Sequence, residues 1–453
     1  MQMTHTTCNP KKRAAVLTLG CKVNFYESEI MTEKLQADNW QIVSAKEHAD
    51  LYVIHSCTVT AEAGRQTRQE VRRAARRNPD AFLVVAGCYA EMEHEVCEKM
   101  PEVSMVLSNR DKLFIAEKVK QSSSSIFRQQ DPQQRWQADI SNAPELISGY
   151  IDRTRAFVQV QQGCDQGCTF CIIHTARGPS RSYSQQHILL QISTLLQNGY
   201  KEIVICGIDL GSWGSDLVDA SSGNPPNLFG LLKAMLAIPG EYRVRLSSID
   251  PIHLDDELLD LIGADSRVCP HLHLSLQSAN RLILKRMKRR YDPEFLYERV
   301  HTAQSKIPDL LLSADILVGF PTETVTQFED TLRSIYDLGI TYPHVFPYSE
   351  RAGTPAARIP FQIPKQERKE RVSLIKEAGD HVRQGVFLEK IGGVERILVE
   401  RLDNSASKQY HGRADNYLPV YINNNVSDIG EFAHVRISNT SGKALIAQTL
   451  EQE

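Results

Sequence analysis

The stretch Gly163-Cys164-Asp165-Gln166-Gly167-Cys168-Thr169-Phe170-Cys171 constrains this chain more than any other. It directly follows an apolar run, Ala156 to Gln161, that reads as a strand. Three thiols at spacings of four and three residues can wrap one face of a cubane iron-sulfur cluster, because soft sulfur is the ligand such clusters select. Three ligands leave one iron open, and a small molecule with an amine and a carboxylate could chelate it. The alternative is a zinc knuckle, which closes with four ligands. No further Cys lies nearby to complete one, so His174 would have to serve.

A second trio is dispersed. Gly20-Cys21, Ser56-Cys57 and Gly87-Cys88 each follow a short apolar run: Ala14 to Leu19, Leu51 to Ile54, and Ala81 to Ala86. Such runs alternate with helical patterns from Arg13 to about Lys120, which predicts an open, Rossmann-like parallel α/β sheet. Loops at the carboxyl ends of parallel strands converge on one crevice, so cysteines remote in sequence can meet there. The competing reading is that these are small core residues, since Cys packs well in apolar interiors. Gly or Ser before each Cys argues against it, because those positions call for a tight backbone. Cys8, Cys97, Cys206 and Cys269 have no partner at ligand spacing and read as structural or incidental.

At 453 residues the chain exceeds what one core organises. A first domain is expected over 12–122, and a polar Ser- and Gln-rich linker over 123–149. A second domain over 150–382 carries six candidate strands: Ala156 to Gln161, Glu202 to Ile208, Arg243 to Ser248, Leu272 to Gln277, Ala314 to Gly319 and His344 to Tyr348. Six β/α units suggest a partial (β/α)6 barrel with its site at the carboxyl ends of the strands, a doubly wound sheet being the alternative. After a charged helix from Lys365 to about Val382, strand-like runs and polar turns over 383–450 suggest a small antiparallel β-barrel. No apolar run is long enough to span a bilayer, and Met1 to Lys12 is polar, so no membrane partner and a cytoplasmic location are expected. A net charge of -3 means that any nucleic-acid contact must rest on local basic patches.

The Cys164, Cys168, Cys171 triad with Phe170 before its last member resembles the signature of the radical S-adenosylmethionine (SAM) superfamily. Together with Leu19-Gly20-Cys21-Lys22-Val23-Asn24, the dispersed cysteines, and Arg177-Gly178-Pro179-Ser180-Arg181-Ser182, the chain resembles the methylthiotransferases over nearly its whole length. It looks most like the branch that acts on N6-threonylcarbamoyladenosine at position 37 of tRNA. Gly20-Cys21-Lys22-Val23-Asn24 differs from the patterns of the isopentenyladenosine branch and of the branch that modifies a ribosomal-protein aspartate. His174 and Ala279 depart from the family's usual Pro and Gly.

The resemblance implies an N-terminal methylthiotransferase domain, a radical SAM barrel and a C-terminal TRAM-like barrel. It also implies two 4Fe-4S clusters, one on Cys164, Cys168 and Cys171 and an auxiliary one on Cys21, Cys57 and Cys88, with two SAM molecules used per turnover. The first cluster would split SAM to a radical that takes hydrogen from carbon 2 of adenine, and the second would present the sulfur. Phe170, Gly207, Gln277 and Val318 are candidates for SAM contact, with barrel packing as the plain alternative. Partners would be a tRNA anticodon loop, an electron donor such as flavodoxin or ferredoxin, and a sulfur donor.

Arg65, Arg68, Arg72 and Arg76 recur at helical spacing and form a candidate RNA-binding face, or else merely a solvated one. Lys285, Arg286, Lys288, Arg289 and Arg290 form a second basic run beside Met287, with Tyr291 as a possible stacking ring. Outside the enzyme class, a non-catalytic, metal-stapled RNA-binding protein would use the same cysteines.

Overall fold

The computed structural model describes residues 11–122, 145–218, 223–403, 409–423 and 428–450. The chain forms two compact units: Met1–Ile147 with Thr175–Gly178, and Ser148–His174 with Pro179–Glu453. Most of the expected linker, 123–144, and Cys8 lie outside the described residues.

The first unit is a parallel sheet of β1 (Arg13–Thr18), β2 (Gln41–Ile42), β3 (Leu51–Ser56), β4 (Phe82–Gly87) and β5 (Met105–Leu107). Its spatial order is β2-β1-β3-β4-β5. Winding reverses between β1 and β3, the switch point at which doubly wound sheets open a crevice beyond their carboxyl ends. Helices cover both faces, which is why the strands read as unbroken apolar runs rather than alternating ones. Successive residues of β3 serve opposite cores. Tyr52 and Ile54 pack with Val71 and Ala74 of the helix Ala61–Arg77, while Leu51 and Val53 pack with Met31 and Leu35 of the helix Lys22–Ala37. Thr60 caps the former helix by accepting from Ala63 N.

The second unit starts with β6 (Arg155–Gln159) and a short antiparallel pair, β7 (Gln161–Gln162) with β8 (Arg181–Ser182). Parallel strands follow as β9 (Glu202–Cys206), β10 (Arg243–Leu246), β11 (Ser248–Ile249), β12 (His271–Gln277), β13 (Leu311–Val318) and β14 (Ile340–Pro347). They pair as β10-β9-β6 and β11-β12-β13-β14, the two ribbons meeting in sequence at Ser247, between β10 and β11. Spatial order therefore follows chain order without a reversal, so a partial barrel is formed and the doubly wound alternative is not.

The helix from Lys365 runs on to Glu389, past the expected end at Val382, because Phe387 is fully buried against the last core. That core fills a closed barrel of β15 (Val394–Leu402), β16 (Tyr410–Ala414), β17 (Pro419–Asn423), β18 (Phe432–Thr440) and β19 (Leu445–Thr449), in the order β15-β16-β17-β19-β18. The β17–β19 pair is parallel, so the barrel is not purely antiparallel.

Buried ion pairs join the two barrels. Arg243 and Arg245 both donate to Glu202, and they also reach the C-terminal barrel through the Asp415 carboxylate and the Asp415 carbonyl, respectively. Arg155 bridges Glu202 to Glu400. Burial alone would raise the Glu202 carboxyl, but the pull of Arg243, Arg245 and Arg155 overrides it and holds it far below the ordinary range.

Candidate functional sites around two cysteine trios

In the first unit, Cys21 follows β1, Cys57 follows β3 and Cys88 follows β4, all at carboxyl ends of neighbouring strands. The backbone before two of them has no room for a side chain. A Cβ on Gly20 would lie 2.8 Å from Cys57 Cβ, and one on Gly87 would lie 2.6 Å from the Ser56 carbonyl; both glycines have positive φ. Asn24 Nδ2 donates to the carbonyls of Leu19 and Ser56, tying the loops of Cys21 and Cys57 together. Its Oδ1 accepts from the Cys21 thiol at 3.3 Å. Burial, together with Cys21 and Cys88 nearby, pushes the Cys57 thiol up to about 12. Only a group that prefers thiolate strongly, such as a metal, would deprotonate it near neutrality.

A buried ionic network backs this trio. Arg177 donates from Nε to Cys88 Sγ at 3.1 Å, and from its terminal nitrogens to Asn24 Oδ1 at 2.7 Å and to both Glu27 oxygens at 2.9 and 3.0 Å. Lys112 Nζ lies 2.7 Å from Glu27 and 2.8 Å from Asn109 Oδ1. Burial would raise the Glu27 carboxyl, but Arg177 and Lys112 together hold it far below the carboxylate range. Burial and Lys112 press His55 down to about 3, so it is neutral. Asn24, Glu27 and Ser28 share one face of the first turns of Lys22–Ala37, which explains the polar positions after Cys21.

In the second unit, Cys164, Cys168 and Cys171 lie in the loop after β7. Gly163 and Gly167 take positive φ and let the loop fold back on itself. Backbone N–H groups of Gln166 and Ile173 point at Cys164 Sγ and Cys171 Sγ, each at 3.4 Å. Arg289 reaches Cys168 Sγ at 3.4 Å while donating to Asp250 at 2.6 Å and to the Ser275 carbonyl. Burial pushes Cys164 up to about 12, with Asp209, Cys171 and Cys168 adding to the shift. His174 is exposed. Beside the loop lies a cavity of about 450 Å³, lined among others by Asp165, Gln166, Asp209, His253 and Arg290. None of the described cysteines is in a disulfide.

Other expected site residues fall as follows. Phe170 packs against the buried cluster of Ile283, Met287, Leu317, Phe320, Tyr348 and Ala356. Gly207 sits under Gln161, whose Oε1 accepts from Ile208 N and Asp209 N, so a Cβ there would lie 3.0 Å from that oxygen. Gln277 has a φ of 60°, a strained conformation for a non-glycine residue at the carboxyl end of β12. Val318 is fully buried. Arg65, Arg72 and Arg76 are exposed, with Arg65 paired to Glu62, whereas Arg68 donates to the Tyr89 hydroxyl. The second basic run is not a single RNA face. Met287 and Tyr291 are buried, the Tyr291 hydroxyl donates to the Ser275 and Leu276 carbonyls, and Arg289 is turned inward. The helix Arg281–Met287 packs its apolar side inward, which leaves Lys285, Lys288 and Arg290 exposed.

Cys97, Cys206 and Cys269 are buried packing residues. Sequence reasoning gave no site role to Glu27, Arg177, Lys112, Asp250 or Asp209. It also missed a group inside the barrel, where His273 Nε2 meets Asp315 Oδ1 at 3.0 Å with His344 beside them on three adjacent strands. The polar residues between Cys21 and Ser28 were the available signal for Glu27.

Residues 13–108 match the uncharacterized protein family UPF0004, residues 158–335 the radical SAM superfamily, and residues 389–450 the TRAM domain. The threonylcarbamoyladenosine tRNA methylthiotransferase MtaB of Rickettsia prowazekii (strain Madrid E) is 38% identical over 90% of this chain and 91% of its own length. The chain belongs to the radical SAM methylthiotransferases. MtaB of Bacillus subtilis (strain 168) is 34% identical over 93% of this methylthiotransferase and 92% of its own length. A tRNA-2-methylthio-N(6)-dimethylallyladenosine synthase of Carboxydothermus hydrogenoformans is 29% identical over 96% of the chain and 98% of its own. In fold, the enzyme is similar to the radical SAM methyltransferase TsrM of Kitasatospora setae, with a TM-score of 0.54 at 14% identity, covering 77% of each chain. Among the described residues no helix is long and apolar enough to cross a membrane.

Proposed function

We propose that this enzyme converts N6-threonylcarbamoyladenosine at position 37 of tRNA to its 2-methylthio derivative, with one 4Fe-4S cluster held by Cys164, Cys168 and Cys171 and another held by Cys21, Cys57 and Cys88. The observation that carries the ligand assignment is that each trio brings three free thiols within electrostatic reach of one another, beside an arginine that donates to one of the sulfurs. Thiols without an iron site would gain nothing from such a donor, since a protonated sulfur is a weak acceptor. When bound, the two clusters supply the one-electron cleavage of SAM and the sulfur to be transferred.

The residues of the chain do the positioning. The cavity beside Cys164 sets the carboxylates Asp165 and Asp209 near the cation Arg290, a pattern complementary to the amine and carboxylate of the methionine part of SAM. Gln161 and Gln166 hold Asp209 in place through its backbone N–H and its side chain. Arg72, Arg76, Lys285 and Lys288 are exposed cations suited to RNA phosphates. An electron donor such as flavodoxin or ferredoxin and a separate sulfur donor complete the reaction.

Similarity to the dimethylallyladenosine enzymes is weaker than to the threonylcarbamoyladenosine enzymes, which favours the latter substrate. Mass spectrometry of tRNA nucleosides from cells lacking the gene tests this. Loss of 2-methylthio-N6-threonylcarbamoyladenosine with accumulation of its precursor is expected. Retention of the modified base in a strain with no second copy would overturn the substrate.

A further inference from the structure

The lumen of a barrel of parallel strands is ordinarily filled by Val, Ile and Leu. On β12 and β13 the residues Leu272, Leu274, Leu276, Ala314 and Ile316 are fully buried apolar packing. The alternate positions are polar: His273 and Ser275 on β12 and Asp315 on β13, joined by Ser248 of β11 and His344 of β14. A polar set drawn from four adjacent strands is costly inside a barrel unless its members serve one another or a ligand.

His273 Nε2 lies 3.0 Å from Asp315 Oδ1, and the His273 and His344 ring centroids are 4.7 Å apart. One nitrogen of each histidine and one oxygen of Asp315 all lie within 4.8 Å of one another. Ligand atoms on a zinc-sized ion sit about 2.1 Å from it, hence at most about 4.2 Å apart, so an adjustment of roughly half an ångström closes the set. His344 can supply it, because it is exposed and β14 ends its ribbon of strands. Asp315 is already held: Ser248 Oγ donates to Oδ2 at 3.0 Å and lies 2.8 Å from Ser275 Oγ, which leaves Oδ1 turned toward His273. Outer hydrogen bonds of this kind fix metal-binding carboxylates in place. Two imidazoles and a carboxylate suit a divalent transition-metal ion, and three protein ligands leave positions open for water or a substrate oxygen.

We infer that His273, Asp315 and His344 form a binding site for a divalent transition-metal ion of the zinc class, with no cysteine among its ligands. The inference does not depend on which cysteines hold the clusters. Cobalt(II) is the probe, since it accepts the same donors as zinc and is distinct from the iron of the clusters. Anaerobically reconstituted full-length enzyme is incubated with cobalt(II), desalted, and studied by metal analysis and cobalt K-edge X-ray absorption. About one cobalt per chain beyond the iron is expected, with imidazole nitrogen and oxygen neighbours. His344→Gln, whose exposure spares the fold, should abolish cobalt retention, as should Asp315→Asn. Ser248→Ala, which releases Asp315 Oδ2, should weaken cobalt affinity about 10- to 100-fold. Iron content should be unchanged in all three variants. A wild-type chain that retains no cobalt, cobalt with sulfur neighbours only, or equal amounts and spectra in wild type and His344→Gln would overturn the inference and leave a plain imidazole–carboxylate hydrogen bond. If Asp315→Asn does not fold, His344→Gln and Ser248→Ala decide.

Discussion

Two buried networks of arginine and carboxylate among the described residues differ in what they touch. Between the two barrels of the second unit, Arg155, Arg243 and Arg245 face Glu202, Glu400 and Asp415, and Arg396 and Arg413 share the last two of these carboxylates. Behind the dispersed cysteines of the first unit, Arg177 and Lys112 both pair with Glu27. The first network ties one barrel to the other and works as a joint. The second also places a guanidinium on a cysteine sulfur. The same residue types thus serve architecture in one place and line the proposed cluster ligands in the other.

Removing the thiols should have the largest effect. Cys57→Ala should drop reconstituted iron from about eight to about four per chain and abolish methylthiolated product, as read by metal analysis and nucleoside mass spectrometry. Iron left near eight would remove Cys57 from the ligands. Next comes the joint: Glu202→Gln leaves buried guanidiniums without their shared anion and should cost about 3–5 kcal/mol in denaturant unfolding. A loss under about 1 kcal/mol would mean that the junction's charges are solvated and the contrast drawn above is unsound.

Acid should sharpen the same comparison. Glu202 is held below its unfolded value of 4.5. The unfolded chain therefore binds this proton first, and the contribution of Glu202, complete above about pH 4.5, is lost as pH falls below it. The slope of stability against pH in that range should be shallower by about 1.4 kcal/mol per unit in Glu202→Gln than in wild type. Identical slopes would place the acid-sensitive group elsewhere. Among surface pairs the effect should nearly vanish. Arg65→Ala breaks an exposed contact with Glu62 and should leave the midpoint of denaturant unfolding unchanged.

Much of the fold could be read in advance because its signals are local. Continuous apolar strands announce a sheet buried on both faces, and glycine or serine before a cysteine announces a crowded backbone. A Cβ on Gly20 or Gly87 would collide with the loop of Cys57, which is why no larger residue stands there. The basic run after Ile283 could not be read, because charge in a sequence does not tell which way a side chain turns. Lys285 faces solvent while Arg289, four residues on, lies buried against Asp250 and Cys168. Tyr291 is likewise enclosed by backbone carbonyls of β12, which are distant in sequence.

Taken alone, the sequence determined the strand-ending loops that carry the cysteines and the order of the three domains, since each depends on spacing or periodicity within one segment. Tertiary structure decided the electrostatics. Arg177 lies 89 residues from Cys88 and 150 from Glu27, yet all three are in contact. Chain spacing cannot encode such a meeting; it follows from the switch point of a parallel sheet, where remote loops are forced into one crevice and burial makes every unpaired charge costly.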